Sequence, residues 1–217
     1  MASFEIVELE GARFVRIDLE NDDARAEAGA MAYMRGKVEM TAPMPSPWTA
    51  LKCMMADEPV IRPLYRGKGE VYLTSTMGGY YVLDLVGETW ILENGAYWAS
   101  DGEVELGLHR ESMWTSYWAG EGLIDYQTTV SGYGHVVLNA PGPVALMELK
   151  DERLAAEGKL VIARTAGLRY SVRRPTKNLM SYWLSGEDIV RSYEGTGKVL
   201  MCTTPYWSKT LLDSVQR

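Results

Sequence analysis

Side chains that could carry chemistry are few in this sequence, and their spacing completes no reactive site. His109 and His135 are the only two histidines, and His109 lies two residues before Glu111. A metal centre on a double-stranded β-helix needs two histidines one residue apart, then a glutamate and a further histidine. Nothing near His109 completes that set, so we expect a solvated or hydrogen-bonded histidine there. The sequence predicts no metal site and no cofactor.

Glycine-rich motifs are the next candidates, because some of them cradle phosphates or present a nucleophile. Three pairs precede runs of alternating apolar residues: Gly67 and Gly69, Gly132 and Gly134, and Gly195 and Gly197. A dinucleotide-binding fingerprint follows a strand and opens a helix, so these pairs do not fit it. The run 131–134 also lacks the spacing of a nucleophile elbow. We interpret the six glycines as structural residues of turns or bulges, where φ is positive or two backbones approach closely.

Aromatic side chains with a polar group are the unusual feature of the composition. The chain has 7 tryptophans and 13 tyrosines but only 2 phenylalanines. Tryptophan and tyrosine suit surfaces where one end of the side chain is dry and the other is wet. Two clusters of these residues are candidates for a binding surface or groove between repeats: Trp114, Tyr117, Trp118, Tyr182 and Trp183. Packing in the core or between repeats is the interpretation that we favour for them, and the binding surface is the alternative.

Charge and cysteine usage restrict the partners and the compartment. The formal net charge of −7 argues against nucleic acid as the main partner, because phosphate binding needs clustered lysine and arginine. No long apolar run is present, so no membrane-spanning helix is expected, and the first ten residues resemble neither a secretory signal nor a transit peptide. Cys53 and Cys202 are the only cysteines and are expected to be buried thiols. These features predict a cytoplasmic protein.

Strands must position whatever site exists, because most segments alternate apolar and polar residues. Such alternation runs from residue 15 to residue 19, and similar runs follow each glycine pair. Short alternating runs separated by glycines are typical of an all-β sandwich or a barrel-like body. Helical signal is scarce. Trp207, Leu211 and Val215 recur four residues apart and predict a short C-terminal helix.

The sequence contains three versions of one stretch. The run 27–30 has a close counterpart at 93–96 and a looser one at 157–160. The first glycines of the three pairs are 65 and 63 positions apart. We therefore predict one compact domain of three tandem repeats, approximately 1–77, 78–142 and 143–217, in a pseudo-threefold arrangement. A unit of that size buries little surface alone, so the units must pack against each other.

The residues that carry these motifs also resemble a known family. The run 29–40, its echo at 95–99 and the segments 120–123, 131–134 and 186–189 are similar to the family named for altered inheritance of mitochondria protein twenty-four, in its prokaryotic branch. The resemblance implies three repeats, each similar to a subunit of the tryptophan RNA-binding attenuation protein, a short variant of the double-stranded β-helix. It implies no catalytic motif. The tail after residue 201 departs from the family pattern, in which relatives end soon after the last glycine pair.

Three classes of function remain open from the sequence. The first is a non-catalytic assembly or scaffold protein that associates with itself or with another protein, because aromatic residues are abundant and no acid–base constellation is visible. The second is a small-ligand or peptide binder that uses crevices between repeats, by analogy with the attenuation protein, which holds free tryptophan in similar crevices. The third is an enzyme or an RNA binder, which the net charge and the isolated histidines disfavour.

Overall fold

Alternation of apolar and polar residues folds this chain into two antiparallel β-sheets. The structure is a computed structural model that describes these residues: 1–42, 62–76, 78–110, 126–157, 160–173 and 190–204. Within this part the chain forms strands and turns but no helix, and hence no helix long and apolar enough to cross a membrane. The predicted all-β class is confirmed, whereas the predicted C-terminal helix lies outside the described residues.

In the described part of the chain, each sheet contains seven strands. The strands of the first sheet are β1 (Ser3–Leu9), β2 (Ala12–Ala26), β3 (Met31–Thr41), β4 (Leu64–Leu73), β5 (Gly79–Val86), β7 (Tyr97–Asp101) and β10 (Tyr133–Ala140). The strands of the second sheet are β6 (Trp90–Leu92), β8 (Glu105–Arg110), β9 (Tyr126–Ser131), β11 (Val144–Glu157), β12 (Val161–Thr165), β13 (Arg169–Arg173) and β14 (Val190–Cys202).

The order of strands in each sheet differs from their order in the chain. The first sheet runs β3-β4-β2-β7-β10-β5, with β1 beside β2, and the second runs β11-β14-β12-β6-β9-β8, with β13 beside β14. Strand β2 connects two parts of its sheet, since residues 12–18 pair with β1 and residues 24–26 pair with β7. Strands β3 and β11 each end the hydrogen-bonded order of their sheet.

The main hydrophobic core lies between the two sheets. It is formed by residues of both, among them Leu85, Val136, Trp90, Ile162 and Leu200. A second cluster surrounds Val71 in the first sheet, and a third surrounds Val199 in the second. Burial of each large apolar side chain contributes roughly 1.5–3 kcal/mol, so packing between the sheets is a main source of stability.

Several residues with positive φ lie within a strand or directly after one. Three of them are Asn21 (φ 68°), Gly87 (φ 99°) and Asp151 (φ 55°). Strand β2 gains one extra residue against β4 at Asn21, and β11 gains one against β14 at Asp151. Gly87 follows β5 and donates its backbone N–H to the Gly132 carbonyl at 2.9 Å. Such bulges bend a strand, so that its two halves can pair with different neighbours.

Glycine is required where β3 and β4 approach closely. Gly67 has φ 130°, and a Cβ atom there would lie 2.1 Å from the Lys37 carbonyl oxygen. Strands β4 and β14 continue through their glycine pairs, whereas the sequence analysis placed each pair ahead of its strand. The reason is that glycine permits positive φ and close backbone contact without ending the hydrogen-bonded ladder.

Candidate functional site

Two short strand pairings connect distant parts of the chain, and we call them the first and the second junction. In the first junction, residues 24–26 of β2 pair with residues 99–101 of β7. In the second junction, residues 90–92 of β6 pair with residues 163–165 of β12. Both pairings are antiparallel and three residues long, so the two junctions have the same form.

Matching backbone hydrogen bonds flank the two junctions. In the first, the donors and acceptors are Gly102 N–H to Asp23 O at 2.7 Å and Glu27 N–H to Trp98 O at 2.8 Å. In the second, they are Ala166 N–H to Thr89 O and Glu93 N–H to Ile162 O, both at 2.9 Å. The register is therefore continued one residue beyond the paired segment at each end, in both junctions.

A buried polar cluster lies beside the second junction. Arg191 Nη1 donates to Glu93 Oε2 at 2.9 Å, and Gln127 Nε2 donates to the same oxygen at 3.4 Å. Arg164 Nη2 donates to Gln127 Oε1 at 3.4 Å. All four residues are at most 5% exposed. Removing one member of such a network leaves buried polar groups without partners, so the cluster fixes the relative positions of β6, β9, β12 and β14.

Two tyrosines close this cluster on one side. The Arg164 guanidinium lies over the Tyr170 ring, 4.7 Å from its centroid, and the Tyr170 and Tyr193 rings are 5.4 Å apart. Burial raises the pKa of Tyr193, since the ionised phenol would lose its hydration. The crevice between these side chains and Glu93 has room for about one water molecule. In its present form it does not hold an amino acid or a nucleotide.

The first junction has a related polar contact. Arg62 Nε lies 3.6 Å from Glu27 Oε2, and Arg62 Nη2 donates to Thr128 Oγ1 at 2.9 Å. The same guanidinium lies 4.6 Å from the Tyr97 ring centroid, and the Tyr97 hydroxyl is 2.9 Å from Ser100 Oγ. Burial raises the pKa of Tyr97 to about 12. Each junction thus combines a glutamate, an arginine and a buried tyrosine.

His135 belongs to a third polar group, which is centred on Asp101. The carboxylate of Asp101 accepts the backbone N–H groups of Ala2 and His135, both at 2.8 Å, and lies 3.0 Å from His135 Nδ1. Asp101 is 2% exposed, and His135 Nε2 lies 3.6 Å from the exposed Asp84. An Asp–His pair orients an imidazole, but catalysis would also need a nucleophile or a metal. His109 lies on β8, and in the described part of the chain no three His, Cys, Asp or Glu side chains form a metal-binding group.

The predicted aromatic surface lies outside the described residues. This holds for all five of its members: Trp114, Tyr117, Trp118, Tyr182 and Trp183. Of the other tryptophans, Trp90 is buried in the core and Trp98 packs against the second hydrophobic cluster. Cys202 is a buried free thiol, and Cys53 is not described.

Sequence reasoning missed the polar residues of the junctions. Arg164 is the one charged residue of β12, and this was the available signal for it, whereas β14 carries Glu194 and Lys198 besides Arg191. Glu27 and Glu93 are the first residues of the repeated run, but no polar contact was predicted for them. Asp101 carried no signal, because its three contacts come from residues far away in the sequence.

Comparison with known proteins gives a consistent result. The family described as Mitochondrial biogenesis AIM24 matches residues 4–204. An uncharacterised protein of Streptococcus pyogenes serotype M6 is 22% identical over 197 residues, which is 85% of this chain and 79% of that protein. A crystal structure of a Streptococcus pyogenes protein superposes with a TM-score of 0.74 at 20% identity, covering 100% of this chain and 99% of that one. At this identity the structural likeness shows a shared fold and no more.

Proposed function

Starting from the premise that this chain belongs to the Mitochondrial biogenesis AIM24 family, we propose that it is a non-catalytic assembly or scaffold protein. The family resemblance predicted from the glycine motifs is thereby confirmed. The observation that carries the proposal is the use of one type of strand pairing at two junctions. A protein that joins β-units edge to edge presents surfaces for association, and the arginines beside the junctions contact glutamates of the same fold, Arg62 with Glu27 and Arg191 with Glu93.

The proposal includes three units, approximately 1–77, 78–142 and 143–217, in a pseudo-threefold arrangement. Recurring backbone features support it. Three of the positive-φ residues, Asn21, Gly87 and Asp151, are 66 and 64 positions apart, close to the spacing of the glycine pairs. The runs 27–30 and 93–96 both close a turn in which the fourth N–H donates to the first carbonyl, at 3.1 and 3.0 Å, with φ 78° at the glycine.

The junctions support the same division of the chain. The first joins unit one to unit two, and the second joins unit two to unit three. The strands that enter the junctions from the second and third units, β7 and β12, begin at residues 97 and 161, directly after the copies of the repeated run at 93–96 and 157–160. The same register at both junctions is expected if every unit has two different strand edges, and one edge of each unit pairs with the other edge of the next unit.

Aromatic residues would supply the contact with a partner. The segment 111–125 connects β8 to β9 and carries Trp114, Tyr117 and Trp118, and the segment 174–189 connects β13 to β14 and carries Tyr182 and Trp183. These segments occupy corresponding places in units two and three. Their amphipathic aromatic composition is typical of protein interfaces, and this supports a role in binding another protein.

Light scattering coupled to size-exclusion chromatography tests the proposal over a range of protein concentrations. We expect species larger than the 24.3 kDa chain, or capture of a defined partner that weakens when Trp114 and Trp118 are both replaced by alanine. The matched control replaces the exposed Tyr133 on β10 by alanine. A strictly monomeric chain that binds no partner with either aromatic segment intact would contradict the scaffold function.

A second candidate function is binding of a small ligand or peptide between units, and the polar cluster around Glu93 and Arg191 favours it. A thermal-shift screen of metabolites tests it, with Arg164→Ala as the variant that should abolish any shift. The small crevice requires that the cluster opens first, so a screen without any shift would remove this candidate. A cytoplasmic location stays a prediction that rests on the use of cysteine.

A further inference from the structure

We infer that two copies of this chain associate head to tail, with the edge of β3 in one copy pairing with the edge of β11 in the next. The inference rests on the proposed three units and names the partner and the surface that assembly would use. The first and second units are joined, and so are the second and third. Among the described strands, neither the outer edge of β3 nor that of β11 is paired.

Strand β3 is exposed where its counterparts are buried. Residues 31–35 follow the first copy of the turn run, as β7 and β12 follow the second and the looser third. Tyr33 is 55% exposed, whereas the residues at the same position, Ala99 and Ala163, are at most 2% exposed. Met34 is 43% exposed, against 0% for Ser100 in β7. Residues 31–34 are apolar or aromatic, and no described strand pairs with their outer edge.

Strand β11 contains the edge that would pair with β3. Residues 24–26 of β2 and residues 90–92 of β6 pair with β7 and β12, respectively, and residues 154–156 of β11 occupy the same position in unit three. That position is fixed by the glycine pairs, since Ala24 lies opposite Tyr65, two residues before Gly67, and Leu154 lies opposite Tyr193, two residues before Gly195.

The register of the proposed pairing follows from the two junctions. Ala26 lies opposite Ala99 and Leu92 lies opposite Ala163. The corresponding pair is Ala156 opposite Tyr33, which places Ala155 opposite Met34 and Leu154 opposite Arg35. Met34 would exchange backbone hydrogen bonds with Ala155, because Ser100 occupies this place between the two flanking bonds of the first junction.

The positions of the charged residues along β3 indicate which part of its free edge can accept a partner strand. Natural edge strands avoid unwanted pairing by carrying charged side chains, lysine above all. Arg35, Lys37 and Glu39 lie in the second part of β3, which the proposed pairing leaves uncovered from residue 37 onward. Residues 31–34 carry no charge. The register assigns to the partner a part of the edge in which Arg35 is the one charged residue, and it leaves Lys37 and Glu39 outside the pairing.

Pairing of two different edges is heterologous, so each copy uses both of its edges on different neighbours. Such contacts produce closed rings or open filaments, according to the rotation between copies, and not twofold dimers. We therefore expect a series of masses that are multiples of 24.3 kDa.

Disulfide trapping tests the register directly, in a Cys53→Ser, Cys202→Ala background. Arg35→Cys and Leu154→Cys are combined in one chain, because directly opposite residues without mutual hydrogen bonds have Cα atoms about 4.5 Å apart, within the range that a disulfide spans. We expect an oxidised ladder of covalent multimers on a denaturing gel. The control pairs Leu154→Cys with Glu39→Cys, which is about 13 Å further along β3 and should give no ladder.

A second variant separates this inference from the proposed function. Met34→Pro removes the N–H group directed at the free edge and leaves the bonds from β3 to β4 in place. We expect loss of the multimers in light scattering, with an unchanged strand content by circular dichroism. A cross-link confined to single chains, or no cross-link with a monomeric wild-type chain, would overturn the head-to-tail pairing. Capture of a partner through the aromatic segments would survive that result.

Discussion

The buried carboxylate of Asp101 connects distant parts of the first sheet. Its carboxylate fixes Ala2 at the start of β1 and His135 on β10 through three contacts of 2.8–3.0 Å. We expect Asp101→Ala to lower the free energy of unfolding by roughly 2–4 kcal/mol, because buried N–H groups lose a charged acceptor. Urea denaturation followed by tryptophan fluorescence measures this change.

The matched control for Asp101 is Asp84, which faces the other nitrogen of His135. Asp84 is exposed and lies 3.6 Å from Nε2, so Asp84→Ala should leave the unfolding free energy unchanged within error. Equal effects of the two substitutions would show that the contacts of Asp101 contribute nothing beyond those of a surface charge.

The raised pKa of Tyr97 predicts how the free energy of unfolding changes in alkaline solution. Burial raises its pKa to about 12 in the folded chain, whereas an exposed tyrosine has a pKa of about 10. The neutral phenol therefore contributes stability that is complete below about pH 10 and is lost as the pH rises through about 12, at roughly 1.4 kcal/mol for each pKa unit of difference.

Urea titrations at pH 9 and pH 12 test this prediction with Tyr97→Phe. The decrease in unfolding free energy between the two values should be smaller in the variant by roughly 1–3 kcal/mol, since phenylalanine does not ionise. Tyr193, whose pKa burial also raises, keeps part of the decrease in both proteins. Tyr133→Phe, at an exposed position, is the control. A decrease as large in Tyr97→Phe as in the wild type would contradict the prediction.

At the scale of elements, the first junction requires a close approach of β2 to β7. A Cβ atom added at Gly102 would lie 2.4 Å from Asp23 Cβ, and Gly102 also donates its N–H to the Asp23 carbonyl. We expect Gly102→Ala to lower the unfolding free energy by about 1–3 kcal/mol through overpacking. Thermal and urea denaturation measure it.

Gly167→Ala is the control for Gly102→Ala. The nearest atom to a Cβ at Gly167 is the Thr196 carbonyl oxygen at 4.0 Å, so the added methyl group should be tolerated. If Gly102→Ala were as stable as Gly167→Ala, the approach of β2 to β7 would be looser than the first junction requires.

Much of the element structure was predictable from local sequence. Alternation in residues 15–19 indicated β2, and the first glycine pair lies where β4 approaches β3 closely. The bulges at Asn21 and Asp151 were not predicted, because a single positive φ at Asn or Asp leaves no periodic signal. Residues 205–217 and the aromatic segments lie outside the described residues, so the predictions for them remain predictions.

At the scale of the whole molecule, three repeats stay a prediction from the sequence, and the sequence did not indicate which distant strands pair. The pairing of residue 26 with residue 99, or of residue 92 with residue 163, depends on register between segments that are far apart. One sequence contains no record of such contacts, since strand alternation fixes which face a residue occupies and not which strand lies beside it. For the same reason, the exposure of residues 31–35 could be found only from the structure.

Hydrogen exchange at increasing protein concentration tests assembly without any substitution. Strand alternation directs the Met34 and Gly36 amides towards the free edge of β3, and those of Tyr33 and Arg35 towards β4. At low concentration we expect fast exchange at the first two amides and slow exchange at the other two. At high concentration all four should be protected, because opening of the edge would then require dissociation of the copies. Fast exchange of Met34 and Gly36 at every concentration would mean that the edge stays open. Slow exchange at every concentration would mean that the edge is covered within a single chain, and either result would contradict pairing between copies.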